Sequence, residues 1–135
     1  MNVIIGIGNP LKADDNIGNV IVSKIKADAE KIVAETTPEN HIAKMRGARK
    51  IVFIDAVDFH ARPGTIKLFD TDEILDFPST THAISLNFFR KMIPRASFFI
   101  VGIQPKTIEF SQKISEELDI NEIVSEVDEL LDEIL

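Results

Sequence analysis

One apolar run, residues 51–54, constrains the fold of this chain more than any other feature of its sequence. The run reads Ile-Val-Phe-Ile, contains no polar residue and is followed directly by Asp55. A strand that is wet on one face alternates apolar and polar residues, whereas a strand covered on both faces is apolar throughout. The run therefore predicts a central parallel strand from Lys50 to Asp55, with helices packed on both sides of the sheet.

Further strands and helices alternate along the chain around this run. Strands are predicted at residues 2–7, 31–35, 65–69 (at a sheet edge) and 98–103, and helices at 16–30, 38–47, 83–92 and 120–134. This alternation predicts an α/β fold with a doubly wound, mostly parallel sheet of about five strands. With 135 residues, 44% of them apolar, the chain has the size of one domain, so we predict a single domain over residues 1–135.

The residues after the first predicted strand form a glycine turn with two adjacent acids. The segment from Gly6 to Gly18 reads GIGNPLKADDNIG, and Asp14 and Asp15 are the acids. A dinucleotide-binding G-x-G-x-x-G motif needs its third glycine at position 11, where this chain has leucine. Two carboxylates would also repel a bound pyrophosphate. The turn therefore indicates a site for a cation or a polar substrate, and Gly18, inside a helical pattern, indicates a close backbone approach.

Three side chains that metals prefer are predicted to meet at one edge of the sheet. Asp15 follows the first strand, Asp55 ends the central strand, and His82 stands where a loop enters a helix. In doubly wound sheets the ligand crevice lies beyond the carboxyl ends of the strands. Two carboxylates and one imidazole suit a divalent metal such as nickel or zinc, with positions left for substrate or water. Structural roles remain as alternatives, including a favourable helix-dipole contact for Asp14 or Asp15 and a capping role for His82.

Charge and composition exclude several classes of function. Nine acidic residues and one basic residue between Ser111 and Leu135 give −8, so the other 110 residues sum to +1, since the whole chain carries −7. No basic stripe is present for nucleic acid, and the acids form the wet face of an amphipathic helix. No apolar run approaches the ~20 residues that span a bilayer, so no membrane insertion is expected. The absence of cysteine and of signal-peptide features predicts a cytoplasmic location.

Four separated segments carry a resemblance to a known family. The segment GIGNPLKADDNIG resembles the signature of the hydrogenase maturation endopeptidases, G-x-G-N-x-L-x-x-D-[DE]-x-x-G, and IVFIDAVD, TTHAISLN and FIVGIQP follow in matching order. The last two segments most resemble the branch that serves formate-hydrogenlyase-type hydrogenases. The resemblance implies a three-layer α/β/α domain that removes the C-terminal extension of the nickel-loaded [NiFe]-hydrogenase large-subunit precursor. It also implies that Asp15, Asp55 and His82 bind metal.

The resemblance leads to a hypothesis for the chemistry. Nickel in the precursor would complete its coordination with Asp15, Asp55 and His82, which places the scissile peptide beside these three catalytic residues. The expected cofactor is thus nickel supplied by the substrate, with no organic cofactor. The expected partner is the [NiFe]-hydrogenase large-subunit precursor, and this chain itself is expected to be a monomer. No thiol, H-E-x-x-H or G-x-S-x-G motif marks another catalytic apparatus. The general base stays open between Asp14 and a coordinated acid.

Two other functions stay open from the sequence. A phosphoacceptor receiver domain also has an acidic pair after strand 1, an aspartate ending strand 3 and a lysine after strand 5, which Asp14, Asp15, Asp55 and Lys106 resemble. However, the receiver's acids follow strand 1 directly, whereas a glycine turn intervenes here, and a receiver has no use for His82. The second alternative is a nickel-sensing assembly chaperone without protease activity.

Overall fold

The apolar run at residues 51–54 lies in the middle of a mixed sheet, as its sequence predicts. The computed structural model describes residues 1–70 and 86–135, without the side chain of Asp70. Within these residues, five strands pair in the order β2-β1-β3-β5-β4. They are β1 (Asn2–Gly6), β2 (Glu30–Val33), β3 (Lys50–Ala56), β4 (Ile66–Asp70) and β5 (Ser97–Ile103). All neighbours are parallel except β4, which pairs antiparallel with β5 at the edge.

Helices cover both faces of this sheet. In the described part of the chain they are α1 (Ile17–Val22), α2 (Ile42–Met45), α3 (Leu86–Met92) and α4 (Ile120–Ile134). Ile21 of α1 and Val127 of α4 are buried in one apolar cluster. Met45 of α2 and Phe89 of α3 are buried with Phe53 in a second cluster on the other face. The predicted three-layer α/β/α class is therefore confirmed, because two separate cores sandwich one sheet.

The first predicted helix is shorter than its sequence pattern indicates. The prediction of a helix over residues 16–30 was wrong at its end, since α1 stops at Val22. Beyond that point the backbone N–H groups of Lys26 and Ala27 donate to the carboxylate of Asp128 on α4 at 3.0–3.1 Å. The carboxylate of Asp128 thus accepts the N–H groups that backbone carbonyls would accept if the helix continued. Asp14 and Asp15 lie before α1, in a 3₁₀ turn over Ala13–Asn16.

Only a small part of the second predicted helix, over residues 38–47, is α-helical. A 3₁₀ turn over Pro38–His41 leads into α2, which is a single turn. Arg46 then takes an extended conformation with ψ 133°. Gly47 follows with φ +86°, which suits glycine and ends the helix. The helix predicted over residues 83–92 begins at positions outside the described residues. The helix α4 spans the predicted range, residues 120–134.

The carboxyl ends of β1 and β3 lie side by side at one edge of the sheet. Gly6 at the end of β1 is in register with Ile54, and Asp55 is in register with Gly102 of β5. The backbone N–H of Ile7 donates to the carbonyl of Ile54 at 2.9 Å, which extends the pairing into the glycine turn. This edge therefore receives both the first turn and the end of the central strand.

Candidate functional site

The loops at the carboxyl edge of the sheet hold strained backbone. Among the described residues, the non-glycine positions with positive φ are Ala13 (48°), Glu35 (53°) and His60 (61°). They follow β1, β2 and β3 respectively. An L-residue in this conformation costs roughly 1–2 kcal/mol, and such residues cluster at functional sites. Because these three residues all lie in loops at the carboxyl edge of the sheet, we infer that this edge is the functional one.

Gly18 lets α1 rest directly on the strand backbone. A Cβ atom at Gly18 would lie 2.1 Å from the carbonyl oxygen of Ile54 and 2.3 Å from that of Ile7. A Cβ atom at Gly6 would in turn lie 2.4 Å from the carbonyl oxygen of Gly18. The close approach predicted at Gly18 is therefore confirmed. It brings the 3₁₀ turn that precedes α1 to the end of β3.

Asn19 fixes the shape of the glycine turn. Its Nδ2 donates to the carbonyl of Gly8 at 2.9 Å and to Oδ1 of Asn16 at 2.7 Å, while its Oδ1 accepts the N–H of Glu35 at 3.2 Å. The N–H of Gly8 also donates to the carbonyl of Glu35 at 2.7 Å. Sequence reasoning missed Asn19. The available signal was a polar residue inside the otherwise apolar segment Ile17–Val22.

Asp15 and Asp55 both lie at the carboxyl edge and are both buried. Asp15 is 1% exposed, and its Oδ2 accepts the N–H of Asn9 at 3.3 Å. Asp55 is fully buried, and its Oδ1 accepts the N–H of Ala56 at 2.8 Å. Because side chains alternate along a strand, Asp55 points to the same face as Phe53, the face that α2 and α3 cover. Buried carboxylates are costly unless compensated, which makes both residues candidates for a cation site.

His82, the third predicted ligand, lies outside the described residues. It precedes Leu86, the first described residue of α3, by four positions. In residues 1–70 and 86–135 taken alone, no three histidine, aspartate or glutamate side chains form a cluster that could hold an ion. The predicted set of Asp15, Asp55 and His82 therefore depends on His82 and stays a prediction.

Asp14 anchors the loop between β5 and α4. Its Oδ2 accepts the backbone N–H groups of Lys106 at 2.8 Å and Thr107 at 3.1 Å, and its Oδ1 accepts that of Ser115 at 2.6 Å. The residue is fully buried. Charge-assisted hydrogen bonds of this kind are the strong ones in proteins. The carboxylate thus serves the loop, a role that the sequence did not indicate.

Gln104 organises the loop that follows β3. Its Oε1 accepts the N–H groups of Phe59 at 2.8 Å and Ala61 at 3.2 Å, and its Nε2 donates to Oδ1 of Asp58 at 3.1 Å. The N–H of His60 and then the Gln104 amide hold the pKa of Asp58 below its ordinary value. Sequence reasoning noted the GIQP segment without giving Gln104 a role. A polar residue at the end of a buried strand was the signal.

Comparisons with known proteins agree on one family. Residues 21–134 match the family model described as HycI, hydrogenase maturation protease. A Methanocaldococcus jannaschii protein assigned as a hydrogenase maturation protease is 32% identical, with 98% of this chain and 89% of that protein covered. The hydrogenase 3 maturation protease of Escherichia coli K12 is 30% identical, with 81% and 76% covered. The crystal structure of the [NiFe] hydrogenase maturation protease HycI from Thermococcus kodakarensis KOD1 has a TM-score of 0.78 and 26% identity, covering 99% of this chain and 91% of that one.

The fold and these matches define a peptide-bond hydrolase, an endopeptidase. The chain belongs to the hydrogenase maturation protease family, whose members cleave the C-terminal extension of the hydrogenase large subunit. The recognition made from the four sequence segments is therefore confirmed. No helix in residues 1–70 or 86–135 is long and apolar enough to cross a membrane.

The receiver-domain alternative is wrong, because the chain belongs to the protease family. Two contacts agree with this conclusion. Lys106, the residue that resembled the receiver lysine, pairs with Glu117 at 2.5 Å, and this contact raises the pKa of Lys106 and lowers that of Glu117. Asp14, one of the acidic pair, binds loop N–H groups.

Proposed function

We propose that this chain removes the C-terminal extension from the nickel-loaded large-subunit precursor of a [NiFe] hydrogenase. The observation that supports this most is the burial of Asp15 and Asp55 at the carboxyl edge of the sheet in a member of this family. Carboxylates held in such a place attract a cation far more strongly than exposed ones, since the local dielectric is low. The cation in this proposal arrives with the substrate.

Asp15, Asp55 and His82 would complete the coordination of the nickel that the precursor carries. Carboxylate oxygen and imidazole nitrogen are both ligands for such an ion. Binding would align the scissile peptide with the ion, which polarises the carbonyl or activates a water. Cleavage would then require nickel in the substrate, so that the cargo itself permits processing.

The contacts of Asp14 argue against its use as the general base. Both of its carboxylate oxygens accept backbone N–H groups, from Lys106, Thr107 and Ser115. A base must present an oxygen to the proton that it abstracts. We therefore assign the proton transfer to an acid of the coordinating set, and Asp14 to the support of the loop.

Mass spectrometry of a defined precursor tests the proposal. The wild-type chain should release the C-terminal extension from nickel-loaded precursor and leave nickel-free precursor intact. Asp15→Ala, Asp55→Ala and His82→Ala should each abolish release, whereas Asp28→Ala, which changes an exposed acid, should cleave at the wild-type rate. Full turnover by the three site variants would refute the site. Wild-type binding to nickel-loaded precursor without release would instead support the chaperone alternative.

Several finer properties of the proposed enzyme stay predictions. These are the cytoplasmic location, the monomeric state, the single domain over residues 1–135, and the absence of an organic cofactor. The sequence motivates each of them through composition or through the family resemblance. Size-exclusion chromatography with light scattering would measure the oligomeric state directly.

A further inference from the structure

Three large apolar side chains are exposed on neighbouring segments beside the candidate site. Phe110 is 82% exposed, Leu11 is 55% exposed and Ile108 is 43% exposed. We call these three residues the apolar patch. Single exposed apolar residues are normal on a protein surface, but a group of them that includes an aromatic ring is typical of an interaction site.

The backbone under the apolar patch is tied down. The N–H of Ser111 donates to the carbonyl of Leu11 at 2.9 Å, and the N–H of Ala13 donates to the carbonyl of Ser111 at 2.8 Å. Asp14 adds its bonds to the same loop, as described above. Phe110 is therefore held out toward solvent by a fixed scaffold. Pre-organised surface of this kind binds with a smaller loss of conformational entropy than a mobile loop does.

A positive charge accompanies the exposed ring. The Nζ atom of Lys12 lies 5.6 Å from the centroid of the Phe110 ring. A ligand that covers Phe110 would also come close to this ammonium group. The Phe110 ring thus offers an apolar surface with the Lys12 ammonium group against it, which suits an apolar side chain with a carboxylate nearby.

The apolar patch is continuous with the candidate site. Leu11 precedes Asp15 by four residues, and the N–H of Asp15 donates to the carbonyl of Lys12 at 3.0 Å. Asp15 and Asp55 are themselves buried, so they present almost no area to a protein substrate. A protein whose peptide bond is cut there must be held by the surface around the site.

We propose that the apolar patch docks the hydrogenase large-subunit precursor, with an apolar side chain of the substrate against Phe110 and a substrate carboxylate beside Lys12. This inference rests on the proposed function and names the surface that holds its substrate. The docking residues act on affinity, while Asp15, Asp55 and His82 act on the chemistry. The two roles predict different kinetic effects.

Binding and cleavage of the nickel-loaded precursor by Phe110→Ala test the proposal. Loss of one buried aromatic contact at an interface is worth about tenfold or more in affinity. We expect Kd from biolayer interferometry and KM for cleavage both to rise by about that factor, while kcat stays within about twofold. Phe110→Leu, which keeps an apolar side chain, should recover most of the affinity. Met92→Ala removes a 39% exposed apolar side chain on α3 and should change none of these values.

The other possible outcomes of these measurements separate the docking surface from the proposed function. Unchanged Kd and KM for Phe110→Ala would overturn the docking surface and leave the proposed function standing, provided that the wild-type chain cleaves. A fall in kcat with unchanged KM would also overturn it. A shift of a monomer–dimer equilibrium by Phe110→Ala, with precursor affinity unchanged, would assign the apolar patch to a second copy of the chain. Wild-type binding that depends on Phe110 but yields no cleavage would support docking and contradict the proposed function.

Discussion

The carboxylate of Asp14 accepts the backbone N–H of Ser115 at 2.6 Å and so joins residues 101 positions apart in the chain. This bond fixes the loop before α4 to the turn after β1. The same turn carries Asp15, and the same loop carries Phe110. One buried acid therefore supports both the candidate site and the proposed docking surface.

Replacement of Asp14 by asparagine should destabilise the protein and weaken substrate binding. The amide has one acceptor oxygen, so its NH₂ group would face at least one of the loop N–H donors. A lost hydrogen bond to a buried charged acceptor costs roughly 1.5–3 kcal/mol. We expect Asp14→Asn to lower the free energy of unfolding by about that amount and to raise KM, as measured by urea denaturation and cleavage kinetics.

Asp132→Asn is the matched control for this change. Asp132 is an exposed acid on α4, and surface substitutions of this kind usually stay within about 0.5 kcal/mol. If Asp14→Asn unfolds at the same urea concentration as Asp132→Asn and the wild-type chain, the anchoring role is contradicted.

A methyl group at position 18 should separate α1 from the sheet. Its carbon would lie 2.1 Å from the carbonyl oxygen of Ile54, so the backbone must shift. Overpacking costs typically 1–3 kcal/mol, and a clash with backbone lies at the upper end. We expect Gly18→Ala to lose about 3 kcal/mol in urea denaturation and to lose cleavage activity, since Asp15 moves with the helix.

Gly47→Ala separates packing from backbone strain. No atom of the described residues lies within 4 Å of a Cβ atom built at Gly47, but the φ of Gly47 is +86°. Its alanine variant should cost about 1–2 kcal/mol from the left-handed conformation alone and should keep its activity. An equal loss of stability and activity in both glycine variants would argue against the close approach at Gly18.

Gln104→Leu should loosen the loop after β3. The substitution removes the acceptor of two N–H groups, those of Phe59 and Ala61, and leaves both donors without their protein partner. Both donors belong to partly buried residues, so water can replace part of the lost bonding, and the cost should stay below the roughly 1–3 kcal/mol of a fully buried unsatisfied donor. Hydrogen exchange should show faster exchange at these two amides, with the β3 amides unchanged. Equal protection in the variant and the wild-type chain would contradict this role for Gln104.

The carboxyl of Asp58 should titrate below its ordinary value of 3.8. The N–H of His60 and the Gln104 amide favour the charged form, so the folded state binds this proton less tightly than the unfolded chain. The resulting stabilisation is present above pH 3.8 and is lost as the pH falls through the lower, folded pKa. An NMR titration of the carboxyl carbon measures this, and Gln104→Leu should move the pKa upward. Titration of the wild-type residue at or above 3.8 would contradict the prediction.

Local patterns were enough to predict most of the fold. Three features are visible in short stretches of sequence: the apolar run at residues 51–54, the apolar stripe of α4, and the alternation of strands and helices. They are visible there because burial of a strand or of a helix face imposes its period directly on the sequence. The glycine turn, the acids after strand 1 and the acid near the end of strand 3 could be placed in the same way. The predicted helix bounds were wrong for α1 and α2. After α1 the N–H groups of Lys26 and Ala27 bind Asp128, a partner distant in sequence. The helix α2 ends where Arg46 is extended and Gly47 has φ +86°.

The sequence by itself determined the α/β class, the central strand, the family, and the candidate residues Asp15, Asp55 and His82. Only the tertiary structure decided what Asp14, Asn19 and Gln104 do. Their side chains act on backbone groups of other loops, and a hydrogen bond between residues up to 101 positions apart leaves no periodic trace in the sequence. Tertiary structure also decided that Phe110 is exposed beside Lys12, since exposure depends on how the chain packs.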